Sequence, residues 1–150
     1  MEKLKILLVH NYEIDQGGVS ILNYDLAEFL SKKDWQVTIF SPLAKNFQKE
    51  TIFNLEWRFK NLEKLVFESD AILINLSPYL WKSYLKTIEF CRKYNKSYII
   101  WFHIVLDRDV YKKRYGLKDF QERENKLREI FNNYLCTKII CVSEAVKNFI

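Results

Sequence analysis

Residues 5–30, "KILLVHNYEIDQGGVSILNYDLAEFL", decide how the chain is read. The run over 4–9 is apolar around Ile6-Leu7-Leu8-Val9, which predicts a strand buried on both faces of a parallel sheet. A polar loop follows and ends in Gly17-Gly18. Residues 20–32 then predict a helix, with Ser20 as N-cap and Ile21, Tyr24, Leu26, Ala27, Phe29 and Leu30 turned inward. The chain has only three glycines, and two of them stand together between a buried strand and a helix. A helix start offers unpaired N–H groups and partial positive charge, and glycine lets an anion approach the backbone closely. The competing reading is a loop that needs positive φ at two residues. A G-x-G-x-x-G fingerprint does not fit, because the spacing is wrong and no third glycine follows. A Walker A loop does not fit either, since no Gly-Lys-Ser/Thr occurs.

Outward from this stretch, strands and helices alternate. "WQVTIFSP" (35–42) predicts a second strand closed by Ser41-Pro42, and "ETIFNLEW" (50–57) a short third. Residues 61–68 read as helix and "DAILINLSP" (70–78) as another buried strand. Pro78 opens a helix through about Tyr94, and "SYIIWFHIV" (97–105) is a strand rich in β-branched and aromatic residues. Residues 107–119, charged and containing Gly116, read as a loop or irregular helix. Residues 120–135 form a helix with Phe120, Leu127, Ile130, Phe131, Tyr134 and Leu135 inward. "TKIICVS" (137–143) is a last strand, and a helix starts at Glu144. This alternation predicts an α/β, Rossmann-like parallel sheet with helices on both faces. In such sheets ligands sit beyond the carboxyl ends of the strands, near the switch in strand order. The positions to examine are therefore His10 to Gly18, Ser41, Asn75 to Tyr79, His103 and Ser143.

The totals set limits. A chain of 150 residues is one domain, able to bury roughly two-thirds of its unfolded surface. At 49% hydrophobic and 16% aromatic it is not disordered. No apolar run approaches the ~20 residues of a membrane span, and the opening Met1-Glu2-Lys3-Leu4-Lys5 leads straight into a strand, so no signal peptide is expected. The net charge of +5 and pI near 9.0 suit a polyanionic ligand, an anionic membrane or nucleic acid without choosing among them. Charge alone argues for nucleic acid, so that class is set aside. Cys91, Cys136 and Cys141 are odd in number and lack CxxC spacing, which reads as small apolar residues in a reducing cytosol. Asp107-Arg-Asp109 invites a metal reading; a solvated charged loop is the reading preferred, and no metal site is expected. Lys82, Lys86, Arg92, Lys93 and Lys96, then Lys112, Lys113, Arg114 and Lys118, alternate with Tyr79, Trp81, Tyr84, Tyr111 and Tyr115. Such a face suits an anionic bilayer; helix faces showing lysine to water are the alternative.

The stretch from Lys5 to Pro42 resembles the opening of family 4 glycosyltransferases of the GT-B fold. The resemblance rests on Gly17-Gly18-Val19, on Leu26-Ala27-Glu28-Phe29-Leu30, and on the strand Val37 to Pro42. "IIWFHIV" resembles that family's strand ending in histidine, with His103 at the matching position. "KIICVSEAVKNFI" resembles the place where the last strand of its first domain ends in Val-Ser. The family's Gly-His before the second strand is replaced by Asp34-Trp35.

The resemblance implies a retaining transfer of sugar from a nucleotide-sugar to an acceptor hydroxyl, glycan or lipid-linked. It needs neither metal nor cofactor beyond the nucleotide-sugar. Gly17 and Gly18 would approach the donor diphosphate. His103 would contact the donor sugar and help stabilise the reacting centre, without serving as a general base. His10, Tyr12, Gln16, Asn75 and Tyr79 would line the acceptor side, with Asp15 and Ser77 nearby; Ser143 and Glu144 cap a helix. The family's second domain, with its Arg/Lys pair and Glu-x7-Glu region, is not among these residues. The chain alone is therefore expected to be inactive, needing a donor-binding domain in cis or in trans, and to be cytoplasmic or peripheral at the inner membrane face. The alternatives are one subunit of a two-chain enzyme and a non-catalytic binding or scaffolding module. A flavodoxin-like or receiver-like domain has less support, because the first strand ends in His10-Asn11 instead of paired acids.

Overall fold

The computed structural model describes residues 3–12, 14, 17–76, 81–102, 109, 112–113 and 116–141. Strand β1 (Lys5–Val9) leads through the glycine loop into helix α1 (Gly18–Lys32). Strand β2 (Gln36–Phe40) is followed by a 3₁₀ turn over Ala44–Asn46 and strand β3 (Asn54–Glu56). Helix α2 (Phe59–Glu68), strand β4 (Ala71–Ile74), helix α3 (Lys82–Tyr94), strand β5 (Tyr98–Phe102), helix α4 (Leu117–Phe131) and strand β6 (Cys136–Cys141) complete the order.

The six strands form one sheet in the order β3-β2-β1-β4-β5-β6, every pair parallel. The expected α/β Rossmann-like class is what the chain adopts. From β1 the sheet grows outward in both directions, so crossovers of one hand place helices on opposite faces. Side chains along β1 alternate accordingly. Ile6 and Leu8 pack with Val37, Ile39 and Ala27 under α1. Leu7 and Val9 pack with Ile72, Ile74, Ile100 and the inner faces of α2, α3 and α4. Among the described residues no helix is long and apolar enough to cross a membrane.

Several local expectations need correction. Of the expected inward residues of α1, Ala27 is buried and Tyr24, Leu26 and Leu30 pack on the core, whereas Ile21 and Phe29 point to solvent and Ser20 and Asn23 are buried instead. Ser20 is not the N-cap; Gly17 is, at φ 83° and ψ 156°. Polar residues can face inward here because buried polar groups at the strand ends receive them. Tyr134 is also turned outward, because α4 ends at Phe131 and the turn that follows breaks the helical period; its hydroxyl donates to Asn95 Oδ1 at 3.3 Å. Leu117–Asp119, read as part of a loop or irregular helix, form the first turn of α4, with Gly116 as N-cap at φ 92°. Strand β4 ends at Ile74, earlier than residue 78, although Asn75 and Leu76 stay buried. Tyr84, read as part of a basic aromatic face, is fully buried. The predicted helix from Glu144 and its caps Ser143 and Glu144 lie outside the described residues, as do Pro78, Asp107 and Ser77.

Asp34, in the turn into β2, takes φ 68°. Aspartate tolerates the left-handed region better than most side chains. Helix α3 ends similarly on Asn95 at φ 51°, with the Lys96 amide donating to Cys91 O at 2.9 Å. Cys91, Cys136 and Cys141 are not joined in a disulfide with one another; Cys91 is buried in the core and its pKa is pushed up to about 12 by burial.

Candidate functional site

The switch in strand order falls between β1 and β4, so the crevice opens where their carboxyl ends diverge. Both strands extend one residue beyond their formal ends through backbone pairing. The His10 amide donates to Phe40 O and the Asn75 amide to Val9 O, each at 2.9 Å. Side chains that would otherwise sit on loops are thereby set on the rigid sheet.

Two polar contacts bolt α1 over this edge. His10 Nε2 lies 3.1 Å from Ser20 Oγ. Asn75 Nδ2 donates to Asn23 Oδ1 at 2.6 Å, and Asn23 Nδ2 donates to Val19 O at 2.8 Å. All four side chains are at most 2% exposed. Buried amides in a connected chain of this kind are strongly held, because any break leaves a donor or acceptor without water. Replacing Asn23 by alanine is expected to lower unfolding free energy by about 1–2 kcal/mol, read by chemical denaturation. Wild-type stability in that variant would show that the Asn75–Asn23 link does not hold α1.

The loop after β1 is fixed from two more sides. Ser41 Oγ, just past β2, donates to Tyr12 O at 2.8 Å, and Ser83 Oγ, in the first turn of α3, donates to Asn11 Oδ1 at 3.0 Å. Asn11 and Tyr12 remain half-buried, with the Tyr12 ring centroid 5.2 Å from that of His10.

At the mouth, α1 presents bare backbone. The first intrahelical bond runs from the Ile21 amide to Gly17 O at 3.1 Å, so the amides of Gly18, Val19 and Ser20 precede the helical ladder. The N-cap, Gly17, has no side chain to offer this end, and no acid lies in the first turn. A Cβ built on Gly17 or on Gly18 meets nothing within 4 Å. The site therefore pairs a glycine-opened, electropositive helix end with a rigid floor of buried, mutually bonded side chains, an arrangement able to receive an anion.

The structure brings together Gly17, Gly18, His10, Tyr12 and Asn75 from the predicted set. His10 and Asn75 form the floor, out of reach of solvent, so their evident task is to hold the loop and α1 in place. Gln16, Tyr79 and His103 lie outside the described residues, as does Asp15. Sequence reading missed Asn23 and Ser83, and covered Asn11 only within the span His10 to Gly18. The spacing Ser20-x-x-Asn23-x-x-x-Ala27 was the available signal, since it traces one helical stripe of small and polar residues. The basic residues of α3 are internally paired in part: Lys86 with Glu89, Arg92 with Glu129 and Lys93 with Glu63. Among the described residues no group of three or more His, Cys, Asp or Glu gathers to hold a metal ion.

No protein-family model matches the chain, and no curated protein matches it.

Proposed function

We propose that this chain is the acceptor-side, amino-terminal domain of a retaining glycosyltransferase of the GT-B type, using a nucleotide-sugar donor. The observation that carries the reading is the glycine-opened start of α1 at the switch point of a parallel sheet. The ordered resemblance of Gly17-Gly18-Val19, His103 and the β6 region to family 4 supports it. In this reading the first-turn amides of α1 and its dipole take the donor diphosphate, which carries the charge that leaves in the reaction. Asn11 and Tyr12 face the acceptor hydroxyls across the crevice, held by Ser83 and Ser41. His103, which follows β5 in sequence, contacts the donor sugar. Transfer requires a donor-binding domain in cis or in trans to close over the crevice and exclude water. The chain by itself then binds weakly and turns nothing over.

Ligand-detected NMR with uridine and guanosine diphosphates tests this directly. The expected result is weak binding of at least one of them, with a dissociation constant on the order of 1 mM, lost when Gly18 becomes valine while the melting temperature holds. Absence of binding by both nucleotides at several times that concentration would sink the assignment. Saccharide binding without nucleotide binding would favour the scaffolding module.

A further inference from the structure

We propose that the outward face of α1 is a self-association surface, on which a second copy of this chain lays its own α1 antiparallel about a twofold axis near Phe29. Helix α1 buries Ser20, Asn23 and Ala27 and packs Tyr24, Leu26 and Leu30 on the core, yet it exposes Ile21 (49%), Leu22 (47%) and Phe29 (57%). By contrast, α3 shows Lys82, Glu89, Arg92 and Lys93 to solvent, and α2 and α4 each expose one large apolar residue, Phe67 and Leu117. The apolar surface continues past the foot of α1. On the alternation of β1 and β2, Leu4 (49%) and Trp35 (38%) share the α1 side of the sheet with Ile6 and Val37. The Gln36 amide donates to Leu4 O at 2.8 Å, which sets the two segments side by side. An apolar stripe of this extent on a helix that already has its core contacts marks an interaction surface.

The charges on the stripe identify the occupant. Asp25 lies four residues before Phe29 and Lys33 four residues after it, both exposed. Neither has a salt-bridge partner among the described residues; Lys33 Nζ sits 5.6 Å over its own Phe29 ring. Several other helix charges pair along the chain, as in Lys32–Glu28, Arg123–Asp119 and Arg128–Glu124. Antiparallel packing about Phe29 sets each Asp25 against the other copy's Lys33, Phe29 against Phe29, and Leu22 against the foot where Trp35 and Leu4 lie. A pattern complementary to itself fits an isologous interface. A bilayer fits less well, because Asp25 would be carried into the lipid boundary among the apolar residues.

The overlap is limited. A fifteen-residue helix is ~22 Å long and its half-overlap buries less than the ~800 Å² per partner of a stable complex. The dimer is therefore weak and concentration-dependent, and Gly17-Gly18 at the far end of α1 stay clear of it.

Sedimentation velocity of the chain over about 10 to about 500 µM tests the proposal. The expected result is a reversible monomer–dimer equilibrium within that range. Phe29→Asp should weaken it at least ~10-fold. Asp25→Lys and Lys33→Asp should each weaken it ~5-fold, and the double exchange should restore it to within ~2-fold. All three positions are exposed, and circular dichroism checks that the fold persists. A monomer at every concentration, an indifferent Phe29→Asp, or a double exchange that fails to restore the dimer would overturn the proposal. So would Phe29-dependent capture of the monomer by phosphatidylglycerol vesicles without dimer formation.

Discussion

A chain with glutamine at position 56 is expected to lose about 3 kcal/mol of folding free energy at neutral pH, read as a lower urea midpoint. Glu56 ends β3 and is only 9% exposed. Its carboxylate accepts the backbone amides of Trp57 at 2.9 Å and Arg58 at 2.8 Å, the Arg58 guanidinium at 2.9 and 3.0 Å, and the Asn61 side-chain amide. Helix α2 has no acid in its first turn and no cap from its own N-cap residue, Arg58. Glu56 supplies the missing negative charge at that helix end from the preceding strand. The Arg58 side chain foremost, then the backbone donors and Asn61, hold its pKa down to about 2 from 4.5, against the opposing effect of burial.

A carboxylate with a depressed folded-state pKa adds stability that is complete above its ordinary pKa and is lost as pH falls through the folded one. The wild type and Glu56→Gln should therefore differ most above pH 4.5 and converge towards pH 2. Arg58 is half-exposed, so salt should narrow the gap by screening that contact without closing it. Equal stability at pH 7, or a gap that survives at pH 2, would refute this account.

The parts of the fold legible in the sequence are those governed by burial alone. The unbroken apolar run of β1 can only be a strand covered on both sides, and alternation of such runs with helices leads to a parallel sheet. What periodicity misread is instructive. On α1 it assigned Ile21 and Phe29 to the core because it assumes that the surface beneath a helix is apolar. Here that surface includes His10 and Asn75 beneath the first turns, so Ser20 and Asn23 join Ala27 on the inner stripe. The misreading falls at the candidate site, where polar groups displaced from ordinary core packing are to be expected. Tyr134 was misplaced for a simpler reason: the helix stops three residues before it. Glu56 passed unnoticed although its partners are local. Glu56, Arg58 and Asn61 lie within six residues, but a glutamate recruited from a strand end does not match the usual S/T/D/N cap pattern. Asn11 and Ser83 meet only because α3 returns to β1 across the sheet, and no local signal announces that.

The adjacent glycines separate by their expected responses to alanine. Gly17 sits at φ 83° and ψ 156°, a region that side chains scarcely enter, so Gly17→Ala should destabilise the chain by about 2–3 kcal/mol. The backbone alone accounts for that glycine. Gly18 has ordinary helical geometry, and a Cβ there meets nothing within 4 Å. Alanine at 18 should make the unfolded chain less flexible and the helix more favourable, raising stability by about 0.5–1 kcal/mol. Nothing among the described residues requires glycine at this position. If a diphosphate seats on the amides of α1, a methyl group on Gly18 stands in its path. Gly18→Ala should then fold better and bind nucleoside diphosphate several-fold more weakly, with Gly18→Val weaker still. Opposite signs for stability and binding in one variant cannot arise from a folding defect. A Gly18→Val chain that binds as wild type would place the anion elsewhere and reduce the glycine pair to a turn with one necessary member.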